Sequence, residues 1–203
     1  MRAEYYKRYD HFLRMDDLGR VESFEIIKSW SRGRILDVGC GKGYITAYLS
    51  AIGMDVDTIA LRLAKSSNPH LDVVRASCEA LPFRDSTFDT VLCYNVLEHL
   101  TEDAREKTFE GQKRVLDGKG ILIAGMADLK YFVNIAKGLL TGDQSTRDPT
   151  HKFNWGAEDF KKVIREAFDV TEEKRASGYG KFVWITKHFK GDILLKCRRR
   201  KSR

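Results

Sequence analysis

Residues Arg34 to Ala47 read RILDVGCGKGYITA, and this stretch decides the fold. Ile35, Leu36 and Val38 are the apolar run of a short strand covered on both faces. Gly39, Gly41 and Gly43 follow directly, where a sharp turn needs positive φ or a missing Cβ, so the backbone there can touch a ligand. From Tyr44 the pattern becomes helical, and the amides of a first helical turn, which lack partners inside the helix, can face a carboxylate or phosphate. The spacing selects among cofactors. A G-x-G-x-x-G dinucleotide fingerprint needs glycine at 44, where the chain has Tyr44, and the G-x-x-x-x-G-K-[ST] phosphate loop is also absent.

With Asp37 ahead of the glycines, LDVGCGKG resembles the first motif of the class I S-adenosylmethionine-dependent methyltransferases. The likeness continues in order along the chain. GMDVDTIALRLAK reads as the end of a second strand, an acidic residue and a helix. In the family the acidic residue accepts hydrogen bonds from both ribose hydroxyls; Asp55 matches that position after a short first crossover, and Asp57 is the alternative. Leu71–Arg75 reads as the third strand. Ser77 to Phe83 is similar to the family's DAEALPF segment, with Ser77 in place of the usual Asp, so adenine contact falls more on the amide of Cys78. Thr90–Tyr94 reads as strand four, and NVLEHL after it looks like the type 11 methyltransferase subgroup, where this segment, here beginning at Asn95, runs beneath the methionine part of the cofactor. RVLDGKG is similar to the family's turn into strand five, Ile121–Ala124.

The resemblance implies S-adenosyl-L-methionine as cofactor, with Asp37, Gly39, Gly41, Gly43, Asp55, Ser77, Cys78 and Asn95 as binding residues. It also implies an α/β fold: a Rossmann-like, seven-stranded, mostly parallel sheet with helices on both faces and an antiparallel C-terminal strand pair. Val170–Lys174 and Phe182–Thr186 fit that pair. Ahead of the glycine turn, Leu18, Val21, Phe24, Ile27 and Trp30 recur every three residues as a helix capped by Asp16 or Asp17. The expected organisation is an N-terminal helical cap at 1–33, a methyltransferase domain at 34–187 and a basic tail at 188–203. A lid-like insertion at 125–150 carries an apolar stripe from Tyr131 to Leu140, read either as ordinary packing or as one wall of an acceptor pocket.

Composition narrows the function. The chain of 203 residues suits one α/β domain, and 42% apolar residues support a core. Four cysteines show neither zinc spacing nor a disulfide framework, so reduced thiols, a cytoplasmic location and no metal are expected. No apolar run approaches membrane-spanning length, and the opening MRAEYYKRYD has no signal-like apolar core. The net charge of +7 comes entirely from Lys187 onward, because residues 1–186 carry 28 basic and 28 acidic side chains. Such a tail is a solvated segment or a contact for anionic lipid or RNA.

Methyl transfer from a sulfonium needs alignment more than acid or base. If the acceptor is a phenol, hydroxyl or amine, a general base helps, and His99 and His151 are the candidates by position, each with packing or capping as its alternative. The [DN]-P-P-[YFW] segment used on exocyclic base nitrogens is missing, which disfavours base methylation. The expectation is a small-molecule acceptor, with an apolar or lipid-like one compatible with the stripe and tail. An RNA or protein methyltransferase recruited by the tail, and a non-catalytic cofactor-binding scaffold, are the rivals.

Overall fold

The apolar run after Arg34 forms strand β1 (Ile35–Val38), and in the computed structural model, which describes residues 18–127, 152–153, 155–177 and 190–200, it lies inside the sheet. The other elements are α1 (Leu18–Trp30), α2 (Tyr44–Leu49), β2 (Ile52–Asp55), α3 (Thr58–Ser67), β3 (Val73–Arg75), β4 (Phe88–Tyr94), a 3-10 turn (Leu97–His99), α4 (Glu102–Val115), β5 (Leu116–Ala127), α5 (Ala157–Ala167), β6 (Phe168–Ser177) and β7 (Lys190–Arg199). Among the described residues the sheet has seven strands in the order β3-β2-β1-β4-β5-β7-β6. The first five are parallel, and β7 runs antiparallel to both its neighbours. This is the Rossmann-like, mostly parallel sheet that the motifs imply.

Side chains alternate across the central strands, as a pleat buried on both faces demands. Val91 and Cys93, Leu122 and Ala124, and Ile193 and Leu195 pack on one face with Phe109 of α4 and Phe160 and Ile164 of α5. Leu92, Ile121, Ile123 and Leu194 pack on the other with Phe24, Ile27 and Trp30 of α1 and Ile45 and Leu49 of α2. Helix α1 therefore covers the sheet as one of its layers. Its N-cap candidates Asp16 and Asp17 lie outside the described residues. Two other helices are capped by side chains: Thr101 Oγ1 accepts from the Ala104 N–H at 3.4 Å, and Asp57 takes the N–H groups of Ile59 and Ala60.

The C-terminal expectation needs correction. The partner of β6 is β7, whereas Phe182–Thr186 lies outside the described residues. Most of the segment read as a basic tail is thus a strand between β5 and β6, with Asp192, Ile193, Leu194, Leu195 and Cys197 buried. Two of its cations are held at helix ends, where carbonyls lack partners and the dipole favours positive charge. Arg199 donates to the carbonyl of Lys113 in the last turn of α4, and Arg200 to the carbonyl of Arg165 in the last turn of α5. A tail reaching for lipid or RNA does not describe residues 190–200. A second adjustment concerns Asp117 to Gly120, expected as a turn into the fifth strand. The ladder pairs Phe88 with Leu116 and Thr90 with Ile121, so these four residues bulge out within β5.

Candidate functional site

The four motif segments converge at the carboxyl ends of the parallel strands, beside the point where the sheet order reverses between β1 and β4. The glycine turn rests on the end of β2. Gly39 and Cys40 donate their N–H groups to the carbonyl of Met54 at 2.8 and 2.9 Å, and Gly41 donates to Asp55 Oδ2 at 2.9 Å. The three glycines have φ of +77°, +54° and +73°, the left-handed region where a side chain is strained. They differ in what surrounds them. A Cβ on Gly39 would stand 2.4 Å from Val96 Cγ2, and one on Gly43 would stand 2.4 Å from Leu71 Cδ2 and 3.2 Å from Ala64 Cβ. On Gly41 it would meet nothing within 4 Å. Gly39 and Gly43 therefore let neighbouring elements close on the turn, and Gly41 faces an open cradle.

Asp55 ends β2 at the lip of this cradle, its other oxygen accepting the N–H of Asp57 at 2.8 Å. Two backbone donors fix the carboxylate without consuming its full acceptor capacity. Asp57 is occupied as the cap of α3. Next to Asp55, Val56 is 57% exposed, an apolar side chain at the mouth of the site. Sequence reasoning passed over it; the signal was an apolar residue directly after the acidic strand end. Ser77 and Cys78 are drawn in by the Ala76 N–H, which donates to the carbonyl of Asp55 at 3.1 Å. Ser77 Oγ accepts the N–H of Glu79, and burial pushes the Cys78 thiol up.

Asp37 lies beneath the turn, 2% exposed, accepting the Thr46 hydroxyl at 2.6 Å. Burial raises its carboxyl to about 7; Thr46 opposes the rise and the nearby Asp55 adds to it. Asn95 follows β4 at φ +55°, a left-handed conformation for a residue with a side chain, and donates its N–H to the carbonyl of Gly125 at 2.9 Å. His99 ends the 3-10 turn, half-buried, its N–H donating to the carbonyl of Val96. His151 and the stripe from Tyr131 to Leu140 lie outside the described residues. The next two residues, Lys152 and Phe153, donate their N–H groups to the carbonyl of Glu98, so the chain returns beside the turn that carries His99. Arg105 holds it there, its guanidinium 4.7 Å from the Phe153 ring and 4.9 Å from that of Trp155.

Residues 36–124 match the model of a family described as methyltransferase domain, of the type 11 group. This stretch matches a methyltransferase domain. A Mycobacterium tuberculosis relative, named a probable S-adenosylmethionine-dependent methyltransferase, is 33% identical over 94 residues, 44% of this chain and 34% of its own. An uncharacterized protein of Methanocaldococcus jannaschii is 32% identical over 146 residues, 66% of this chain and 57% of its own. The chain therefore spans roughly a third to three-fifths of the length of these curated relatives. The solved structure of a Thermotoga maritima S-adenosylmethionine-dependent methyltransferase superposes with a TM-score of 0.71 at 19% identity, covering 98% of this chain and 96% of that one, a likeness of fold.

The Mycobacterium tuberculosis relative is named for S-adenosylmethionine, and the cradle at Gly41 beside a fixed carboxylate fits such a ligand. Among the described residues no cluster of His, Cys, Asp and Glu is arranged to hold a metal ion. No described helix is long and apolar enough to cross a membrane.

Proposed function

We propose that the chain is an active methyltransferase that moves the methyl group of S-adenosylmethionine to an oxygen or nitrogen of a small molecule. The observation that carries this reading is the open cradle at Gly41, the one glycine of the turn whose missing side chain serves no internal contact, placed against a carboxylate already oriented by two backbone amides. Asp55 receives the ribose hydroxyls. Val56 offers an apolar wall to the adenine, with Ser77 and the amide of Cys78 at the ring's edge. Asp37 supplies a buried negative charge to the methionine ammonium, and Gly39, Gly43 and Asn95 shape the backbone beneath it. The cofactor brings a methyl carbon already activated on a sulfonium, so these residues have mainly to fix its position relative to the acceptor.

His99 and His151 are acceptor-side candidates by position, for contact with the acceptor or for its proton. A small acceptor fits the charge distribution better than RNA or a membrane surface, since Arg199 and Arg200 bind helix carbonyls and Ile193 to Leu195 are interior. An apolar acceptor remains compatible with the stripe at 131–140 and no longer draws on the basic segment.

The test is calorimetric titration of the full chain with S-adenosylmethionine and S-adenosylhomocysteine, followed by a screen of phenols, amines and quinols that reads S-adenosylhomocysteine release. Micromolar binding that Gly41→Val abolishes is expected. A folded wild-type chain that binds neither compound would overturn the reading.

A further inference from the structure

Tyr94 and Asp192 meet across a strand that separates them. Tyr94 is the last residue of β4, Asp192 lies near the start of β7, and β5 runs between the two. The Tyr94 hydroxyl donates to Asp192 Oδ2, and the Ser23 hydroxyl of α1 donates to the same oxygen at 2.6 Å. Asp192 and Ser23 are fully buried and Tyr94 is half-buried.

The reach depends on Gly125. It is the β5 residue paired with Tyr94 on one side and with Leu194 on the other. A Cβ there would stand 2.8 Å from Tyr94 Cδ2 and 2.5 Å from Leu194 Cδ2, so a side chain at 125 would fill the space the tyrosine ring crosses. The Gly125 carbonyl also takes the N–H of Asn95, tying the crossing to the strained residue at the mouth of the site. Because β7 is antiparallel, the pairing of Asp192 with Ala127 puts this carboxyl group at the same sheet edge as Asn95 and the glycine turn. Fixing α1 to the sheet would need only Ser23 and Asp192. It does not call for an aromatic hydroxyl brought over a glycine to the ligand edge.

We infer that Tyr94, backed by Asp192, is the group that takes the acceptor's proton during methyl transfer. This rests on the methyltransferase reading above and names the base for that same site. As the acceptor oxygen or nitrogen bonds to the methyl carbon, the carbon–sulfur bond breaks and its electron pair stays on sulfur. The acceptor's proton passes to Tyr94 Oη, and the phenol's own proton passes to Asp192 Oδ2. The proton leaves to water when the product departs. One positive charge is lost at sulfur while one negative charge is lost at Asp192, so net charge in a poorly solvated site stays constant during the step. Tyr94 is the catalytic residue and Asp192 the positioning residue behind it. Acceptors of this site carry a hydroxyl, or a nitrogen that bears both a proton and a lone pair, rather than an acidic carbon.

The experiment compares the wild type with Tyr94→Phe and Asp192→Asn in the full chain. With any acceptor the screen finds, Tyr94→Phe should lower kcat by about 100-fold or more, while S-adenosylhomocysteine binds within about twofold of wild type. Its remaining rate should rise with hydroxide concentration. A Tyr94→Phe kcat within about threefold of wild type, or a loss of S-adenosylhomocysteine binding, would overturn the assignment. A second arm needs no acceptor: ultraviolet titration of phenolate, with the Tyr94 signal identified by its loss in Tyr94→Phe. Asp192→Asn should move that signal to lower pH, because it removes the carboxylate that retains the phenol proton; an unmoved signal overturns the pair. Failure of the wild type to bind S-adenosylhomocysteine would defeat the methyltransferase reading, and the phenolate titration would still decide the pair.

Discussion

The two ends of the sheet put charge to opposite uses. In the half built from β3, β2, β1 and β4, Asp37 and Asp55 are held by hydroxyl and amide hydrogen bonds, at strand ends that open on a cradle. In the half built from β5, β7 and β6, Arg199 and Arg200 are bound to helix carbonyls and Lys196 is paired with Glu172, away from the ligand edge. Negative charge is left available to a ligand, and positive charge is absorbed by the fold. A net charge of +7 therefore says little about what this surface binds.

The largest effect that would break this contrast is removal of residues 196–203. For a free tail the deletion would be harmless; for the last four residues of an interior strand it should abolish the cooperative thermal transition, checked by circular dichroism and calorimetry. Next is the glycine turn. Gly43→Ala should cost about 3 kcal/mol of stability, because its Cβ enters occupied space in a left-handed conformation. Gly41→Ala should cost only about 1 kcal/mol in denaturant unfolding yet lower cofactor affinity by about tenfold or more. Equal losses of stability in the two variants would refute the distinction between packing glycine and cradle glycine.

The parallel half was readable because its motifs are local. RILDVGCGKG places strand and turn within one stretch, the end of β1 followed from the first glycine, and those of β2 and β4 from the polar residues Asp55 and Asn95. In the sequence Asp55 and Asp57 both suit a strand end, and the cap that Asp57 provides to α3 left no local signal apart from this ambiguity. The antiparallel half was misread for a physical reason. Arg198 to Arg200 carry charge at the ends of long side chains, so their backbone can pair in a sheet while the guanidinium groups lie elsewhere. Only Ile193 to Leu195 signalled a covered strand, a run too short to outweigh its flanks. Tyr94 and Asp192, 98 positions apart, leave no local pattern at all.

Smaller effects sharpen the picture of the acidic half. Asp55→Ala should weaken cofactor binding by roughly 1.5–3 kcal/mol, the scale of charge-assisted hydrogen bonds, measured by calorimetry. Asp37→Asn should act in two directions. The folded chain keeps the Asp37 proton up to about 7, whereas the ordinary carboxyl loses it near 3.8, so this group's contribution to stability falls as pH rises between those values and is level above them. Replacement by Asn removes that fall, stabilising the free protein at pH 8 by about 1–2 kcal/mol, while weakening S-adenosylmethionine binding. A wild-type stability that rises across the window, with no change in the variant, would contradict the burial argument. Smallest is Asp57→Ala, a lost helix cap worth about 1 kcal/mol of stability with cofactor affinity unchanged.

The position of β7 also orders events in time. The last of the described strands is inserted between two earlier ones, so β5 and β6 cannot be joined until residues 190–199 have been made. A nascent chain that has emerged only through β6 carries two unsatisfied edges, both flanked by apolar faces, and these can pair with other chains. Slow translation just before this segment would lengthen that exposure, whereas the glycine turn and its parallel neighbours can begin to assemble well before it.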